Sequence, residues 1–349
     1  MLQSKKGAEE MKFVKFLREK HPNELVLFLI FIVLFAVMAV LSPDVFLSGA
    51  NLQNMMFQMP EFGLMALAMM AAVLTGGMNL SITNGAMFSA IIAALLMTTE
   101  WGKANPVPAT IVGVIAIIGL SVLTGVFNGC LIGYIGMVAM LVTLSTRLVF
   151  EGVGLIITKG NSIGSLPEPF LAIGSLKVGP IPLTMILFII MIVVSYFMLE
   201  RSKWGREVYM IGDNETATRF SGINTKKVLM LVYVFSGLLY GLSGVLITSR
   251  YCSAKTDYGT SYLMQSITAV VMGGTDINGG SGTVAGTILA VMILQTVSTG
   301  FTIHRVDQNL VNIFNGLILL AVLTIRYVTG RVIDTKKIKQ RQAEAKSQA

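Results

Sequence analysis

Few side chains in this sequence are of a type that does chemistry. It has two histidines, His21 and His304, and two cysteines, Cys130 and Cys252. The cysteines form no C-x-x-C and have no histidine beside them, so neither a zinc site nor a disulfide framework is indicated. General acid–base catalysis built on histidine is disfavoured for the same reason. No G-x-x-x-x-G-K-[ST] or H-E-x-x-H string occurs, so the chain has no P-loop for ATP and no zinc-protease signature. The expectation is a chain that is not an enzyme, holds no metal and binds no cofactor itself. Any energy from ATP has to come from a partner.

Polar groups set in apolar surroundings are more informative. Arg147 and Glu151 stand four apart, on one face of an apolar segment. A lone charge in a membrane is costly, and a facing pair relieves much of that cost. A structural ion pair and a polar lining of a solute path both remain open. A second pattern is an internal repeat. Ala72–Leu80 and Ala269–Ile277, 197 residues apart, share an apolar run, a Gly-Gly break and a following carboxamide or carboxylate. The breaks are Gly76-Gly77 and Gly273-Gly274, followed by Asn79 and Asp276. Such a break at membrane depth frees backbone groups that lipid cannot satisfy, so they must face protein or water. Ser81 and Asn84 in one copy, and Thr275 and Asn278 in the other, offer further donors and acceptors. Together with Arg147 and Glu151 these residues are the candidate translocation path. The plainer reading, a tight turn at the membrane surface with a polar cap behind it, is equally open. Six spans between the copies imply parallel rather than inverted repeats.

The elements that carry these residues are apolar. Of 349 residues 54% are hydrophobic and 13% charged, against about 25% charged in soluble domains. Mean hydropathy is +0.74. Ten apolar segments stand out: 24–41, 52–75, 79–98, 107–128, 131–158, 181–199, 227–249, 260–273, 283–301 and 308–328. The fifth carries charges and the eighth is short for a crossing. With the N-terminus inside, 19 of the 26 Lys and Arg residues fall on the cytoplasmic side and six outside, Arg147 lying within a span. The expected fold is therefore an all-α polytopic membrane protein of about ten transmembrane helices, with both termini cytoplasmic. Residues 1–23 form a basic cytoplasmic tail, 24–328 the transmembrane domain and 329–349 a second basic tail. The net charge of +8 is spread over these tails and one central stretch, which suits a lipid bilayer and not a nucleic acid. Small residues four apart (Gly125, Gly129, Gly133; Gly237, Gly241; Gly282, Gly286) favour close helix packing, within one subunit in preference to a dimer face.

The long polar stretch 200–226 is cytoplasmic on this count, and long ordered loops tend to be functional. Its segment 212–220 mixes both signs and reads as a short helix, with Asn214 as cap and Glu215 in the first turn. A structured helix between two membrane bundles is what a transporter needs if it receives force from an outside motor.

The same stretch carries a resemblance. Gly205-Arg206, Tyr209, Ile211-Gly212, Asn214, Ala217, Arg219 and Ser221-Gly222-Ile223 are similar to the cytoplasmic signature of sugar-type permease subunits of bacterial ABC importers. That class serves ribose, galactose, xylose and autoinducer-2. Tyr233, Ser236-Gly237, Gly241, Gly244 and Ser249-Arg250 fit as well, as do Phe46-Leu47, Asn51-Leu52, Thr143-Leu144, Gly273-Gly274 and Gly316-Leu317-Ile318. The resemblance covers roughly 40–328. It implies two permease subunits (the same or related chains) forming a pore in the cytoplasmic membrane, and ABC ATPase subunits below that carry ATP and Mg. An extracytoplasmic substrate-binding protein delivers solute, and alternating access moves it. It also implies that Gly205, Arg206, Gly212, Asp213, Asn214, Glu215, Ala217, Arg219, Ser221 and Gly222 form the loop that docks on the ATPase. Four positions depart from the family pattern. Asn79 stands where an acid is usual, Glu151 where Arg is frequent, Asp213 for Gly and Thr218 for Ala. The rival expectation is an ion-coupled secondary transporter, for which Arg147 and Glu151 are the candidate coupling groups.

Overall fold

The computed structural model describes residues 22–307 and part of 310–324. The two basic tails lie almost entirely outside the described residues. The chain is helical nearly throughout, apart from a two-stranded hairpin, β1 (Lys177–Val178) with β2 (Ile181–Pro182), turned at Gly179.

Seven helical stretches are long and apolar enough to cross a membrane: Asn23–Leu41, Gly49–Val73, Pro106–Gly133, Ala139–Thr158, Leu183–Arg201, Thr225–Arg250 and Val284–Ile303. In chain order the elements are α1 (Pro22–Leu41), α2 (Pro43–Phe46), α3 (Gly49–Val73), α4 (Ile82–Met97), α5 (Glu100–Ala104), α6 (Pro106–Gly133), α7 (Ala139–Thr158) and α8 (Glu168–Ser175). Then come the hairpin, α9 (Leu183–Tyr196), a wide turn Phe197–Arg201, α10 (Lys203–Phe220), α11 (Thr225–Arg250), α12 (Thr260–Met272) and α13 (Val284–Ile303).

Of the ten expected spans, seven are matched among the described residues by helices long and apolar enough to cross. Segment 79–98 contracts to the 16 residues of α4, and 260–273 to the 13 of α12. At ~1.5 Å per residue these reach roughly 24 and 20 Å, short of the hydrocarbon thickness. Each of these short helices lies within a few residues of one of the Gly-Gly breaks. Segment 131–158 is also shorter than its hydropathy suggests. Residues 134–138 are apolar but turn at Gly136, whose φ of +82° suits glycine, and α7 starts only at Ala139. The last expected span, 308–328, is described only in part. The polar stretch 200–226 is not a loop holding one short helix. It is helical from Lys203 to Phe220, with a kink at Asn214.

α3 and α11 form the centre, with residues 60–73 of α3 all buried. α11 packs most extensively on α6, and glycines decide how closely. A Cβ on Gly237 would lie 2.6 Å from the Ser121 carbonyl oxygen, and one on Gly133 2.5 Å from that of Lys226. The small-residue stripes of 125–133 and 237–241 thus pack on each other within the chain. α1 lies at the rim and exposes Val26, Leu29, Val33 and Val40, as a lipid-facing helix does.

Candidate functional site

The first Gly-Gly break meets the loop that follows the second, far away in sequence. The Gly280 N–H donates to the Leu74 carbonyl at 3.0 Å, tying that loop to the end of α3. A Cβ on Gly76 would stand 2.8 Å from the Asn278 carbonyl oxygen. Gly212 of α10 wedges between them: a Cβ there would overlap the Leu74 carbonyl oxygen and the Gly280 nitrogen. Gly279 faces Gly212 from the other side, its own φ of +94° open only to glycine without strain. Three backbone segments touch here without side chains between them. Both α3 and α12 end close to this joint.

More bonds fasten α10 to the same place. The Tyr209 hydroxyl donates to the Gly282 carbonyl at 2.8 Å. Burial pushes that phenol up, so it stays a neutral donor. Glu200, just before α10, accepts the Val284 N–H at 2.7 Å and caps α13. Within the second break Asp276 Oδ1 accepts the Asn278 N–H at 2.9 Å, closing a tight turn. Gly273 packs its carbonyl on Gly286, and Thr275 is fully buried.

α10 is two helices. Asn214 sits at φ −163°, ψ 101°, and its Oδ1 accepts the Ala217 N–H at 2.9 Å. It caps the second helix, as the sequence predicts. Thr218 staples the kink by donating to the Met210 and Asn214 carbonyls, both at 2.8 Å. Ser202 caps the first helix through the Gly205 N–H at 2.8 Å, and Gly205 lets that turn lie against the Leu199 carbonyl. Arg206 reaches the Arg201 carbonyl; Ser221 and Gly222 close the C-terminal end, Gly222 at φ +82°. Asp213, Asn214, Glu215, Ala217 and Arg219 are exposed. So is Phe220, at 83%, a large apolar side chain at the tip of a polar helix. Sequence reasoning passed over it. Glu215 and Arg219 also line a cavity of about 470 Å³ whose wall includes Gly76, Gly77 and Tyr233. Residues read from sequence as two sites, a path and a coupling loop, thus share one end of the bundle.

The remaining candidate path residues form a buried polar ladder behind the first break. Asn128 Nδ2 donates to Ser81 Oγ (2.9 Å), Ser81 Oγ to Asn79 Oδ1 (2.7 Å), Asn79 Nδ2 to Ser236 Oγ (2.9 Å) and Ser236 Oγ to the Ala68 carbonyl (3.0 Å). It joins α3, α6 and α11 at the break. Ser236→Ala leaves the buried Asn79 amide without an acceptor, and a loss of about 1–3 kcal/mol is expected. Thermal unfolding of the purified protein checks it, and an unchanged midpoint would contradict the ladder.

Arg147 and Glu151 do not pair. Glu151 accepts from Asn84 Nδ2 at 3.2 Å, while Arg147 makes no ion pair among the described residues and keeps a buried Nε without a hydrogen-bond partner. Helical spacing put them on one face, but Asn84, projecting from α4, takes the carboxylate. The ion pair inside the bundle is a different one. Glu61, in the middle of α3 and 1% exposed, is held by the Arg250 guanidinium, with Arg250 Nη2 2.7 Å from Glu61 Oε2. The Tyr262 hydroxyl adds a third bond to that carboxylate at 3.1 Å. A single acid after Pro60 in an apolar run was the available signal.

A bundle of apolar helices with broken helices meeting at a polar, kinked helix defines a multi-pass membrane transport subunit. The comparisons agree. The family described as branched-chain amino acid transport system / permease component matches residues 51–323, and the chain belongs to that family. It is 35% identical to the ribose import permease protein of Bacillus subtilis (strain 168) over 86% of this chain and 91% of that one. It is 29% identical to the D-allose transport system permease protein of Escherichia coli (strain K12), over 86% and 91%. With the autoinducer 2 import system permease protein of Klebsiella pneumoniae it shares 26%, over 82% and 89%. No solved structure matches.

Proposed function

We propose that this chain is the membrane-spanning permease subunit of an ATP-driven importer for a sugar or similar small polar solute. It works by alternating access in a bacterial cytoplasmic membrane. The observation that carries the proposal is the joint at Gly212, where the end of α3 and the loop after the second Gly-Gly break rest on the kinked helix α10. A push on α10 there bears on both halves of the bundle at once. On this reading the α10 end is cytoplasmic, in keeping with its Lys and Arg residues. An ABC ATPase, holding ATP and Mg, grips the exposed face of Glu215, Arg219 and Phe220. A second permease subunit and an extracytoplasmic substrate-binding protein complete the machine. The chain supplies no catalytic group and no cofactor.

Charge reversal on that face, Glu215→Lys or Arg219→Glu, is expected to abolish ATP-driven uptake while leaving membrane insertion intact. Neither side chain makes a bond that the fold needs. Wild-type uptake with normal subunit assembly would remove α10 from the coupling role. The ion-coupled alternative has less support: Glu151 is tied to Asn84 and Asn79 carries no proton. It would win if the chain without an ATPase moved solute on a proton gradient and Glu151→Gln stopped it.

A further inference from the structure

The far end of the bundle from Gly212 holds a second cavity, of about 460 Å³, between α3, α11, α12, α13 and the turn at 251–259. That is the size range of small-molecule sites. Its wall alternates flat apolar rings with uncharged polar groups. Tyr251 and Tyr258 stack at 4.7 Å, and the Arg250 guanidinium lies 4.7 Å over the Tyr251 ring. Gln58 and Gln295 face each other, Gln295 Nε2 donating to Gln58 Oε1 at 3.1 Å. Gln265, only 8% exposed, has no hydrogen-bond partner for its carboxamide among the described residues. Its amide atoms are not buried in the protein but open on the cavity, where an entering solute can bond them. Both charges on the wall are already answered, Arg250 by Glu61 and Asp257 by Lys255 at 2.8 Å. An ion entering the cavity would find no free counter-charge. A neutral molecule rich in hydroxyl groups would find amides that both donate and accept, and tyrosine rings for its C–H faces.

We propose that this cavity is a binding site for a neutral polyhydroxylated solute of monosaccharide size, the point where solute enters the permease itself. The proposal rests on the importer reading and gives it a location. Gln265 holds a solute hydroxyl by its carboxamide, and Tyr258 packs against a ring face.

The test uses the full chain in lipid nanodiscs and saturation-transfer NMR, which detects weak binding. The probes are D-ribose, D-allose and D-galactose at millimolar concentration, with D-ribose 5-phosphate as the charged control. At least one neutral sugar should receive saturation and the phosphate should not. The signal should fall at least several-fold in both Gln265→Leu and Tyr258→Ala, each checked for wild-type thermal unfolding. No transfer to any of the three sugars, equal transfer to the phosphate, or signal retained in both variants would overturn the site. The importer reading fails separately, if uptake by the wild-type chain does not need an ATPase. ATP-driven uptake unchanged in both variants would remove the cavity and leave the importer standing.

Discussion

Gly212→Val is expected to cut ATP-driven uptake to below a tenth of the wild-type rate. The side chain has nowhere to go. Its Cβ would meet the Leu74 carbonyl oxygen on one side and the Gly280 nitrogen on the other, and both are backbone. Overpacking of this kind costs about 1–3 kcal/mol, and here it is relieved only by parting α10 from one of these segments. Parting them also strains the Gly280 N–H to Leu74 bond, which links the two copies of the repeat. If α10 transmits force through that contact, a gap wastes the stroke. About 1.4 kcal/mol in a barrier is already tenfold in rate, so a cost in the middle of that range suffices if it falls on the transport step. Gly119→Val is the control. Nothing lies within 4 Å of a Cβ there, and Gly119 is exposed on α6. Uptake in vesicles holding the complete importer checks both variants, together with ATP hydrolysis. The expected signature for Gly212→Val is hydrolysis that no longer tracks solute. Uptake at the wild-type rate would mean that the joint is not on the path of the force.

What could be read from sequence was what local pattern encodes. Apolar runs announced α1, α3, α6, α9, α11 and α13, because a helix in lipid must be apolar along its whole length. The same measure overran at α7, because the turn at 134–138 is as apolar as the helices beside it. Hydropathy counts the side chains of Tyr134 and Ile135 and is blind to the φ of Gly136. The repeat was legible as two Gly-Gly breaks, yet the meeting of one with the loop after the other was not. Contact between Gly76 and Asn278 depends on how the intervening helices return the chain, which no local pattern records. Pairing was misjudged for a related reason. Arg147 and Glu151 satisfied a helical spacing rule, but Asn84 from another helix had the better approach to the carboxylate. Glu61 drew no notice because its partner, Arg250, is 189 residues away and reads as an ordinary charge at a helix end.

That hidden pair supports the other large effect. Arg250→Met should lower stability by about 3–5 kcal/mol, since it leaves the carboxylate of Glu61 in the interior with one neutral donor, Tyr262. For a chain of this length that is a fall in Tm on the order of 10 °C. Glu61→Met alone is expected to be harmful for the mirror reason, though less so, because Arg250 is partly exposed and lies over the Tyr251 ring, where its charge is better tolerated. The double variant Glu61→Met/Arg250→Met removes both charges and fills the space with flexible apolar chains. Replacing a buried ion pair by apolar groups of similar size is often neutral or stabilising. It should therefore unfold at a higher temperature than Arg250→Met. A double-mutant cycle on thermal unfolding measures the coupling directly. Additive losses would show that the two residues act independently and that the pair does not hold α3 to α11. A coupled result has a consequence for the nearby cavity. Arg250, not Glu61, lines that cavity, so monosaccharide binding should survive in the double variant, where no charge is left unpaired beside the wall.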